Sequence, residues 1–111
     1  INPRCSTISR YAILLQRIGF FFYNMLDKNK SISIDFKNEM YVQQLLVDLF
    51  NSLYQVGEEV LSRGYECEIL QEACMICGKA VVSMRYDNVH YYSVEKLLQE
   101  NVEDIRFQLL K

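Results

Sequence analysis

The run ECEILQEACMICGKAVVSMR, from Glu66 to Arg85, is the most strongly patterned part of the chain, and how it folds sets the fold class. Wound at about 100° per residue, Cys67 and Cys74 fall about 20° apart and Cys77 about 60° further round. Leu70, Ala73, Val81 and Met84 complete that seam, and Ile69, Ile76, Ala80 and Val82 widen it. The spacing predicts a helix over about 66–85. Its small side chains suit a central helix surrounded by neighbours, with Gly78 permitting a close approach.

The same run holds three of the four cysteines, the other being Cys5. On a helical face they read as buried free thiols acting as small hydrophobes. Cys74 and Cys77 also form a CxxC. Zinc normally wants a second such pair or two histidines, and only Cys5 and His90 remain to complete a set. A redox pair needs an exposed, acidified thiol at a helix N-terminus, whereas this pair falls inside the expected helix. No metal and no cofactor are therefore expected. Reduced thiols fit a cytoplasmic or otherwise intracellular setting.

Working outward, three further helices are expected. One runs over about 7–26, with Ser6, Thr7 and Ser9 as capping oxygens and an apolar stripe from Ile8 to Leu26. This most apolar region carries Gln16 and Arg17 near its middle and is short for a bilayer, so no membrane span is predicted. Ser31 to Phe36 alternates with period two and reads as an extended connector over 31–36. A helix over about 38–62 follows, capped by Asp35 or Asn38 and ended by Gly64. Gly57 is its interior anomaly, because glycine there costs roughly 1 kcal/mol relative to alanine. It implies a bend or a close neighbour. After a tyrosine-rich loop over 86–92, Ser93 caps a helix over about 93–110.

Composition points the same way. The chain has 111 residues, half of them hydrophobic, which suits one domain with an ample core. Its single proline is Pro3, where average usage predicts roughly five, so long elements with few loops are expected. The fold expected is all-α: a compact bundle of about four main helices over 1–111. The chain begins at Ile1, as a processed product or an excised domain would.

Catalysis has little to work with. The one histidine, His90, has no nucleophile in a local signature, and the four glycines are isolated, so no phosphate loop forms. Twelve Lys and Arg are spread among 14 acidic residues, for a net charge of −2. That gives no footprint for nucleic acid. A non-enzymatic protein–protein interaction domain is expected, an adaptor acting as a homodimer or heterocomplex. Phe20, Phe21, Phe22 and Tyr23 give one end more apolar area than a small monomer covers, which suggests self-association or an obligate partner.

One stripe is more specific. Leu49, Leu53, Val56 and Val60 recur at helical spacing, with Gly57 and Glu58 between the last two. This resembles the BH3 motif of the Bcl-2 family, in which such a helix enters a groove and its acid meets an arginine. Any core-facing helix supplies the same apolar positions. Leu70 to Leu110, with Met75-Ile-Cys-Gly-Lys-Ala-Val81 at its centre, is similar to the C-terminal half of small poxvirus Bcl-2-like proteins. The resemblance implies a viral inhibitor of apoptosis or innate signalling that binds host proteins and has no enzyme activity. The alternative is an excised helical scaffold domain, such as a helical-repeat fragment of a larger complex. The candidate partner-binding residues are Leu49, Leu53, Val56, Gly57, Glu58, Val60, Phe20 and Phe21.

Overall fold

A computed structural model describes Leu14 and residues 38–109. Helix α1, Glu39–Leu53, opens where Asn38 Oδ1 accepts the Tyr41 N–H at 3.1 Å. Val42, Leu45, Leu46, Leu49 and Phe50 form its buried stripe, spaced by three and four. The helix stops at Leu53. Tyr54 is extended (φ −129°, ψ 147°), and its N–H closes the last turn on Phe50 O.

The helix expected over 38–62 therefore ends nine residues early, and Gly57 is the reason. It stands at φ +94°, where L side chains rarely go. Its N–H donates to Ile69 O at 2.9 Å, while Glu58 Oε1 accepts the Gln55 N–H at 2.7 Å. A tight turn thus sends the chain into strand β1, Glu59–Ser62.

The run over 66–85 is not a helix. It supplies most of β2 (Tyr65–Ile69), β3 (Cys74–Ile76) and β4 (Lys79–Arg85), and β5 (Val89–Ser93) follows. All strand pairs are antiparallel. β4 is central: β2 and β3 lie end to end along one edge and β5 along the other, with β1 outside β2. Two turns of two residues make this possible. Arg63-Gly64 and Cys77-Gly78 have φ of +53°/+86° and +51°/+77°. A positive φ at both central residues is the hairpin geometry that matches strand twist, and it ends any helix.

Between β2 and β3 the edge strand bulges. Leu70 N–H still donates to Ser83 O, and Cys74 already stands opposite Val81. Gln71, Glu72 and Ala73 therefore face Val82 alone. Asn51 of α1 compensates with both ends of its amide: Nδ2 donates to Ala73 O at 3.1 Å and Oδ1 accepts the Ala73 N–H at 2.8 Å.

Two further helices close the described chain. Ser93 Oγ caps α2, Val94–Glu100, and α3 covers Val102–Leu109. The helix expected over 93–110 is thus two helices, broken at Asn101. The buried Asn101 side chain donates to Leu61 O at 2.9 Å and ties this break to β1.

The result is a two-layer α/β domain, with α1 and α2 on one face of a five-stranded antiparallel sheet. Val60, Cys67, Ile69, Ala80, Val82 and Met84 turn inward to Leu46, Phe50, Leu97 and Leu98. Leu14, a helical residue, joins this core. Each fully buried side chain of this size stabilises by about 1.5–3 kcal/mol. The all-α bundle is overturned by this sheet, and the Bcl-2-like fold expectation falls with it. The cysteines do not share a face either. Cys67 is buried in the core, and Cys74 and Cys77 are exposed on the β3–β4 hairpin. The rest of the helix expected over 7–26, and the connector over 31–36, lie outside the described residues.

Candidate functional site

The residues proposed from the 49–60 stripe do not converge. Leu49 is buried in the core from α1, and Leu53 packs partly against it. Val56 is exposed, Gly57 forms the turn, and Glu58 caps that turn. Val60 is buried in β1. A stripe that needs one continuous helix is shared here between a helix, a turn and a strand. Phe20 and Phe21 lie outside the described residues.

The structure instead brings together residues that sequence patterning assigns to a loop. Two hairpins project from the same end of the sheet. The β1–β2 hairpin carries Arg63 and Tyr65 at its tip, and the β4–β5 hairpin carries Tyr86, Asp87 and Asn88. Tyr65 and Tyr86 meet across the gap with ring centroids 4.7 Å apart, tilted at 49°. Both remain more than half exposed, at 55% and 53%. Such a ring pair contributes about 0.5–1.5 kcal/mol beyond its buried area.

Beneath this pair, a half-open cleft of about 700 Å³ runs between the two hairpins and α2. Its floor holds Cys67, Tyr92 and Leu97. Cys67 Sγ lies 3.9 Å from the Tyr92 hydroxyl and 3.6 Å from Tyr65 O, within reach of weak thiol hydrogen bonds. Desolvation, then the hydrogen bond with Cys67, pushes the Tyr92 phenol above its ordinary range. Tyr92 therefore stays a neutral hydroxyl at physiological pH. His90 presents its ring edge-on to Tyr92, with centroids 6.4 Å apart.

Charges on the walls are balanced. Arg63 and Lys96 stand with Asp87 and Glu100. Glu100 Oε1 also accepts the Arg63 N–H at 3.0 Å, joining α2 to the first hairpin. Among the described residues, no hydrogen bond joins His90 to a serine, threonine or cysteine. No group of three or more His, Cys, Asp or Glu able to hold a metal is present among them either. The cleft offers aromatic faces, hydroxyl and amide donors, and little net charge. That combination suits binding.

The signal for this site was in the sequence, because five of the eight tyrosines fall between 65 and 92. What was missing was the pairing that places Tyr65 beside Tyr86. Comparison with protein-family models, curated proteins and solved structures finds no match. These comparisons speak neither for nor against the Bcl-2-like resemblance.

Proposed function

We propose that this domain is a non-enzymatic protein-interaction module, and that the tyrosine cleft grips an extended segment of a partner protein. The carrying observation is the exposed Tyr65–Tyr86 pair roofing a pocket of about 700 Å³. Concave sites rimmed by amphipathic aromatic side chains bury apolar ligand area while their polar tips stay wet. Balanced wall charge speaks against a nucleic-acid strand, which needs a basic groove. The free thiols of Cys67, Cys74 and Cys77 support a reducing, intracellular setting for this activity. No described helix is long and apolar enough to cross a membrane.

The test is panning of a displayed random-peptide library against the full chain and against a Tyr65→Ala/Tyr86→Ala double variant. Enrichment on the native chain alone is expected. Equal enrichment on both, or on neither, sinks the assignment of the cleft.

Self-association is a second reading, with its own observation. β5 is an edge strand of the described sheet, and Val89 and Tyr91 stand exposed on it at 58% and 66%. Such edges template pairing with another chain. Light scattering across a concentration series should show a dimer that Tyr91→Lys dissociates. A monomer at all concentrations removes this reading.

A further inference from the structure

Resting on the cleft as a binder of extended protein segments, we infer that its ligand is a proline-rich segment in the polyproline II conformation. Three features of the site converge on that class.

The first is polarity. The Tyr65, Tyr86 and Tyr92 hydroxyls, the Asn88 amide and the His90 ring can all donate. The carboxylates Asp87 and Glu100 are offset by Arg63 and Lys96, and Glu100 already accepts the Arg63 N–H. The site is thus rich in donors yet close to neutral. Its complement is an uncharged ligand rich in acceptors. Proline residues fit, because each has a carbonyl and no N–H.

Shape is the second. The Tyr65 and Tyr86 rings open as a V of 49° on an exposed rim. Flat apolar faces of this kind take pyrrolidine rings. A polyproline II helix has three residues per turn and about 3.1 Å rise, so every third ring returns to the same side.

The third is what the backbone leaves free. The cleft walls are hairpins whose main chains already pair, Ser62 with Tyr65 and Arg85 with Val89. Recognition there falls to side chains, whereas strand addition needs a free edge. A polyproline II segment makes no internal hydrogen bonds and is pre-ordered, so it gives up little entropy on docking.

The experiment is a titration of the ¹⁵N-labelled full chain, followed by NMR. The probes are an N-acetylated decaproline, a strand-forming Thr-Val peptide of equal length, an oligosaccharide and a single-stranded oligonucleotide. Decaproline alone should shift Tyr65, Tyr86, His90 and Tyr92. Tyr65→Ala and Tyr86→Ala should each weaken its Kd by about tenfold. Both side chains are exposed, so far-ultraviolet circular dichroism should stay unchanged.

If the Thr-Val peptide shifts the same residues as well as or better than decaproline, the polyproline class is wrong and the protein-segment reading survives. If only the sugar or the oligonucleotide shifts them, both fall. Both also fall if no probe shifts them.

Discussion

At the scale of single residues, a few side chains carry a disproportionate share of the order. Asn51 acts as a missing strand for the bulge, pairing both polar groups of the buried Ala73 backbone. Asn51→Leu should cost about 2–3 kcal/mol in urea unfolding, since it strands a buried donor and acceptor. Arg63 and Cys77 are strained, at φ +53° and +51°. Asparagine tolerates that region, so Arg63→Asn and Cys77→Asn should each stabilise by about 0.5–1 kcal/mol. Tyr54 matters for a different reason. Burial, with the charges of Asp104 and Glu58 behind it, pushes its phenol from 10.0 up to about 12. A raised folded pKa favours the neutral phenol, so its contribution to stability is full below pH 10. It is lost as pH climbs through the interval from 10 towards 12. An absorbance titration of phenolate should show one late step, and Tyr54→Phe should remove it.

Among the elements, the turn between α1 and β1 decides most. No atom lies within 4 Å of where a Cβ on Gly57 would stand, so Gly57→Ala meets open space. Any loss then comes from backbone strain at φ +94°, and about 1 kcal/mol or more is expected from thermal melts. The helices were legible in part. Asn38 and Ser93 were readable as caps, and the α1 stripe from Val42 to Phe50 has the spacing of a helix. The strands were hidden by phase shifts. The bulge at Gln71–Ala73 and the turn at Cys77-Gly78 each offset the alternation. Inward positions therefore fall at Ile69, Ala73, Ala80 and Val82, while Leu70 and Val81 keep half-buried apolar side chains on the other face. The summed pattern imitates a period near 3.6.

For the whole molecule, β4 is the hub: it pairs on both edges and packs beneath α1 and α2. Amide exchange should be slowest in Val82 and Met84, both almost fully buried, and faster in edge strand β5. If β5 protects as well as β4, a further strand covers its free edge. Ion pairs add little here. Lys79–Glu39 and Arg85–Glu68 are about half exposed, and pairs of that kind contribute roughly 0–1 kcal/mol.

The sequence by itself determined the ends and the punctuation of the elements. It marked the caps at Asn38 and Ser93, the glycines at 57, 64 and 78, and a tyrosine-rich segment before the last helices. These are local matters, set by capping oxygens, φ restrictions and composition. Only the tertiary structure decided that the Glu66–Arg85 run is a sheet and that Tyr65 meets Tyr86. A strand's hydrogen bonds lie with partners distant in sequence, so neither its face nor its neighbours can be read from its own residues. The cleft depends on that pairing, because it exists only where two hairpins are brought side by side.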